Sequence, residues 1–308
     1  MTLLPDKIVY ELIYDNDKGR ATGVRVLDAN TGAQTDYFAK IIFMCASAIG
    51  SAYIMLNSIS SRFPNGFGND SGELGHNIMD HNKPGGSSAR VDGFLDVAYT
   101  GRRPNGFYIP RYRNVGKDKR NYLRGFGYQG RASRDGFSRF NDSALIGADL
   151  KKEFAEPGPW SISMTAFGEI LPYHENHMRL DRTKKDKHGL PLTVFNAVVR
   201  DNERKMEEDM RNDAAEMFEA AGFRNITPRS DNFNVGNSIH EMGTARMGAD
   251  PKKSVLNKFN QVHACKNVFV TDGSFMVSSA CQNPSLTYMA FTARAADHAV
   301  NELKKGNL

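Results

Sequence analysis

The chain has 308 residues, 40% apolar and 24% charged, with a formal net charge of +5, values that describe a soluble globular piece with length for about two domains. No run of about 18 apolar residues is present, so no membrane-spanning helix is expected, and no dense Lys/Arg block interleaved with aromatics points to nucleic acid. Three cysteines, Cys45, Cys265 and Cys281, lack both Cys-x-x-Cys spacing and the density of a disulfide scaffold, and read as buried thiols.

Residues 8–14, 22–28 and 34–39 read as strands of a meander, separated by turn sequences at 15–19 and 30–32. Residues 40–47 form a continuous apolar strand ending in small residues, and a helix begins over 52–57. From about 80 to 235, strand-like runs at 87–91, 106–112, 123–130, 160–170 and 178–181 alternate with Gly, Pro and Asn clusters, and 192–199 is a continuous apolar strand. This pattern predicts a largely antiparallel sheet. Residues 201–221 predict one amphipathic helix, with Met206, Met210, Ala214, Met217 and Phe218 apolar, Glu207, Glu208, Asp213 and Glu216 polar, and Gly222 as its stop.

The C-terminal part carries the chemistry. His240-Glu-Met-Gly-Thr-Ala-Arg-Met-Gly248 is followed by a β-branched and aromatic run at 266–272, which reads as a buried strand delivering an Asp272-Gly273 turn. Asn283 is placed to cap a helix with Pro284 in its first position. Leu286, Met289, Ala293, Ala296, Val300 and Leu303 then recur at spacings of three and four as a narrow apolar stripe. A helix N-terminus beside Asn283 and Ser285 is a seat for developing negative charge. Paired with a histidine base, it suits hydride abstraction from an alcohol, although a His before Gly-Thr and an Asn-Pro before a helix are also ordinary structural features.

In their order, His-x-x-Gly-Thr-x-Arg-Met-Gly, the Ser254-Val255 pair after Asp250-Pro251, Asn-Val-Phe-Val-Thr-Asp-Gly-Ser and Asn-Pro-Ser-Leu-Thr resemble the C-terminal region of the glucose-methanol-choline flavoprotein oxidoreductases. Within that family the chain is most similar to sugar-oxidising members with a His/Asn pair, such as pyranose oxidase and bacterial sugar dehydrogenases. The resemblance implies that His240 is the catalytic base and Asn283 its partner. It also implies that Asp272 and Gly273 meet the ribityl-phosphate portion of FAD, that Asn283, Pro284 and Ser285 border its isoalloxazine, and that Ala46 and Ser47 lie near its adenine end. The segment 72–81 resembles the link between flavin and substrate domains.

The fold so implied is α/β and α+β: an incomplete FAD-binding Rossmann-like domain plus a substrate domain built on an antiparallel β-sheet. Residues 1–79 and 236–308 fall to the first and 80–235 to the second. The family's opening strand, Gly-x-Gly-x-x-Gly turn and helix are not found. The literal match at 125–130 has neither a buried strand before it nor an apolar helix after it. The expectation is therefore a C-terminal fragment whose parent oxidises a sugar or polyol hydroxyl with FAD and passes electrons to an acceptor the sequence does not name. A non-catalytic subunit that keeps the fold is the alternative. His76 with Asp80 and His81, and His174 with His177, lack a third ligand and a helical frame, so no metal is expected. The glycan-acceptor patterns at Asn69, Asn141 and Asn225 are frequent by chance.

Overall fold

Alternating apolar positions build the first sheet, in which β1 (Lys7–Asp15), β2 (Arg20–Asp28) and β3 (Gln34–Phe38) run antiparallel in that order. The computed structural model describes residues 1–97, 106–136, 140, 144–231 and 233–308, so the pattern at Asn141 lies outside the described residues. The chain then leaves the meander as β4 (Ile42–Met44), and α1 (Ser47–Asn57) follows at once. This helix starts five residues earlier than its apolar pattern suggests. Ser47 takes φ +67°, turning the chain straight out of the strand, and the Ser51 hydroxyl accepts the Ala46 N–H.

The middle unit is a six-stranded antiparallel sheet of β5 (His81–Asn82), β6 (Gly85–Val91), β7 (Phe107–Ile109), β8 (Gly127–Arg134), β9 (Trp160–Glu169) and β12 (Arg224–Ser230). Its order is β12-β6-β9-β8-β7, with β5 also paired to β9. The Gly-rich stretch 125–130 enters β8 rather than a phosphate turn. The helix α3 (Asp201–Ala220) lays Met206, Met210, Ala214 and Phe218 on one face of this sheet, against Tyr128 and Met164, forming one core. It comes so close that a Cβ at Gly168 would lie 2.4 Å from the Met206 sulfur.

Several expectations fail for identifiable reasons. The run 192–199 is a strand only as β11 (Pro191–Asn196), which pairs with β10 (His177–Lys185) in a separate hairpin and leaves Phe195 51% exposed. An apolar run alone does not say which side is covered. Asp213 belongs to a polar helical face by pattern but is buried, because the segment after β7 folds over α3 and brings the Tyr112 hydroxyl (2.7 Å) and the Arg113 guanidinium (2.6 Å) to its carboxylate. The helix α2 (Gly147–Ala155) and the edge strand β12, polar and interrupted by Pro228, have no counterpart in the sequence pattern.

The C-terminal part returns to the meander and β4. β13 (Gln261–Val262) and β14 (Cys265–Val270) form an antiparallel pair, and β14 runs parallel to β4, pairing Val270 with Met44. Asn267 on β14 is buried and ties the meander down: it accepts from Ala21 N and donates to the carbonyls of Ala21 and Lys40. Ile42, Met44, Met55, Leu256, Val268 and Val270 fill this second core. A short 3-10 turn, Gly273–Phe275, precedes α4 (Ser285–Lys304).

Candidate active site

His240 stands at the end of a loop held by one buried carboxylate. Asp80, fully buried, accepts the backbone N–H groups of Gly236 (2.9 Å), Ser238 (3.0 Å), His240 (3.2 Å) and its neighbour His81 (2.7 Å). Burial raises the Asp80 pKa, and those four N–H groups oppose the rise by favouring the charged form. The loop they hold is strained: Ile239, β-branched and 80% exposed, has φ +58°. Next to it the half-buried His240 ring meets His81, Nδ1 to Nδ1 at 2.8 Å, with the ring planes at 88°. His81 is completely buried, and its pKa falls to about 4, first through burial and then through the positive charge that His240 can carry.

A second carboxylate organises the other loop. Glu169 accepts from Ser278 Oγ (2.7 Å), Ser279 N (2.7 Å) and Ala280 N (2.9 Å), and pairs with Arg124 at 2.9 Å. Ala280 sits at φ +55° within this tether, three residues before Asn283. The two anchors are neighbours, since His81 and Glu169 are paired residues of β5 and β9 and Asp80 O accepts from Ile170 N.

Asn283 itself lies elsewhere than a cap would. The N-cap of α4 is Pro284, at φ −87° and ψ −4°, and no side chain caps the helix. Asn283 is exposed and its Oδ1 accepts from Gln129 Nε2 at 3.4 Å, in a cleft of about 420 Å³ that Phe107, Tyr108, Gly130 and Gln282 also line. Among the described residues no hydrogen bond joins His240 to Asn283. Ser285 is exposed at the first turn of α4, and Pro284 is buried.

Of the residues expected near a cofactor, Asp272 turns its carboxylate inward. It accepts from Ser51 Oγ (2.5 Å), Ser274 Oγ (2.5 Å) and Ser274 N (2.9 Å), and burial raises its pKa. It therefore clamps α1 to the 3-10 turn and leaves mainly backbone to face a ligand. Gly273 is packed so that a Cβ would lie 2.5 Å from Glu241 O. Ala46 and Ser47 are exposed where β4 ends, alongside the end of β14, where Thr271 N donates to Met44 O at 3.1 Å. Cys281 is buried, its sulfur 3.5 Å from Gly125 O, and burial pushes the thiol up to about 11. Thr244 holds its loop by donating to Ala48 O at 2.6 Å.

Asp80, His81 and Glu169 are the residues that sequence reasoning missed as parts of this site. The first two were visible only as candidate ligands or as part of a linking segment, and Glu169 had no signal beyond an acidic residue closing an apolar strand.

Residues 172–292 match the family model of the GMC oxidoreductases. The chain is 31% identical to 2-methyl-1,2-propanediol dehydrogenase of Mycolicibacterium austroafricanum over 293 residues, 91% of this chain and 51% of that protein. It is 28% identical to the fructose dehydrogenase large subunit of Gluconobacter japonicus over 308 residues, 99% of this chain and 55% of that protein. A solved structure of a formate oxidase variant from Aspergillus oryzae RIB40 superposes with a TM-score of 0.64 at 17% identity, covering 99% of this chain and 61% of the other, which is a likeness of fold. The chain spans about half the length of the relatives it matches. Residues 172–292, the stretch that matches the GMC oxidoreductase model, contain both His240 and Asn283.

Proposed function

We propose that this chain serves the oxidation of a CH–OH group of a sugar or polyol, with His240 as the base that takes the hydroxyl proton and Asn283 as a hydrogen-bond donor to the substrate oxygen. The observation that carries the reading is the double tether. Two buried carboxylates, Asp80 just before β5 and Glu169 on β9 opposite His81, hold the loops that present His240 and lead to Asn283. Buried acceptors of several N–H groups are costly to disturb, so both loops are held rigidly next to the sheet of the middle unit. Among the described residues nothing hydrogen-bonds His240 Nε2, which leaves that nitrogen available to a substrate.

The residues present fit a flavin at the edge of this site. The parallel strands β4 and β14 end side by side, and ligands of parallel sheets sit beyond such ends. Ala46, Ser47 and the backbone of Asp272 and Gly273 border that place, and the uncapped first turn of α4 offers free N–H groups and the positive end of a 20-residue helix. FAD, when bound, supplies the acceptor for the hydride. The chain's part is to remove the hydroxyl proton at His240 Nε2 as the hydride departs, to polarise the oxygen through the Asn283 amide, and to exclude water with the sheet above.

The test is reductive stopped flow on the flavin-loaded protein. His240→Ala should slow flavin reduction by about 10² to 10⁴ while FAD stays bound. A variant that reduces flavin at the parental rate removes His240 as the base.

A further inference from the structure

We propose that His81 is a positioning residue that selects the tautomer of His240: it accepts a hydrogen bond from His240 Nδ1–H and so leaves His240 Nε2 as a bare lone pair. This rests on reading His240 as the base, and it concerns a residue that touches no substrate.

The argument is a count of protons. Two Nδ1 atoms 2.8 Å apart need one proton between them. His81, completely buried, is neutral near pH 7, so it carries one N–H. If that proton were on His81 Nδ1, His240 Nδ1 would accept it, and a neutral His240 would carry its own proton on Nε2, where a base cannot have one. His81 Nε2 has no hydrogen-bond partner among the described residues, so its surroundings are equally poor for either form of that ring, and the choice is made at His240. A base needs its reacting nitrogen bare, and Nε2 is the His240 nitrogen left without a protein partner, so the His240 proton sits on Nδ1. His81 Nδ1, 2.8 Å away, is then the acceptor, and the one proton of neutral His81 is on Nε2.

The placement is fixed from both sides. The backbone N–H groups of both histidines end on the same Asp80 carboxylate, and the His81 ring is held edge-on to Phe167 with centroids 5.7 Å apart.

The experiment is long-range ¹H–¹⁵N correlation NMR on the chain with ¹⁵N-labelled histidine, whose eight rings are assigned by single substitutions. His240 should show a protonated Nδ1 and a bare, downfield Nε2, and His81 the reverse. In His81→Phe the His240 Nδ1 loses its acceptor, and the ring should return to the Nε2–H form that free imidazole prefers. His81→Asn, whose amide oxygen can stand in for Nδ1, should restore Nδ1–H at His240. An Nε2–H His240 in the parent chain overturns the proposal even if neither variant folds, as does the same His240 tautomer in the parent and a folded His81→Phe. The readout needs no cofactor, so its failure is separate from that of the base assignment, which the His240→Ala rate decides.

Discussion

His81 makes a titration claim that can be checked without any ligand. Its folded pKa of about 4 lies below the ordinary 6.5. As pH falls below 6.5 the unfolded chain takes up a proton at this ring and the folded chain does not, so stability is lost between about 6.5 and 4, by on the order of 3 kcal/mol from this group. Above pH 7 the ring is neutral in both states and contributes nothing to the slope. Asp80, whose pKa is raised by burial, works in the opposite sense and remains in both proteins being compared. Denaturant melts of the parent and His81→Phe at pH 7 and pH 4 should therefore show the parent losing about 3 kcal/mol more than the variant. Parallel losses would mean that His81 is protonated in the folded chain.

Among the elements, the return segment 240–248 explains one residue of its own signature. Gly243 has φ +93°, and a Cβ there would lie 2.1 Å from the carbonyl oxygen of Asn77, where Met79 and Met242 bridge the two segments. Gly243→Ala should destabilise the chain by about 3 kcal/mol, read as a drop in the denaturant midpoint, because both the backbone angle and the close approach forbid a side chain. A midpoint within error of the parent would show that the segments can separate without cost. The helix α4 gives the opposite lesson. Its stripe is the exposed side: Leu286 is 76% and Met289 68% exposed, while Ala295 and Ala299 form the buried contact with Phe269. Small residues face the sheet because the helix packs close to it, and periodicity cannot tell an inward stripe from an outward one.

For the whole molecule, that stripe lies on the same helix as Thr287 and Phe291, which line an apolar cleft of about 720 Å³ together with Phe259, Phe275, Met276 and Val277. Apolar surface of this extent binds other apolar surface. The purified chain should bind an apolar dye and associate as its concentration rises in sedimentation experiments. Leu286→Glu with Met289→Glu should reduce both effects while changing stability by only about 0.5 kcal/mol per site, since neither side chain is packed. Equal dye binding by parent and variant would place the sticky surface elsewhere. The sequence by itself determined the meander, the antiparallel middle sheet, the amphipathic α3 and the ordered motifs at 240–248 and 283–287, because strand alternation, helical spacing and turn residues are local properties. Only the tertiary structure decided that Asp80 and Glu169 are anchors, that His81 faces His240 across 159 positions of sequence, that Asn283 bonds Gln129 instead of capping α4, and that the α4 stripe looks outward. Each of these depends on which distant backbone N–H, ring or sheet face arrives opposite a side chain, and that is set by the pairing of β5 with β9 and of β4 with β14, not by the neighbours of a residue along the chain.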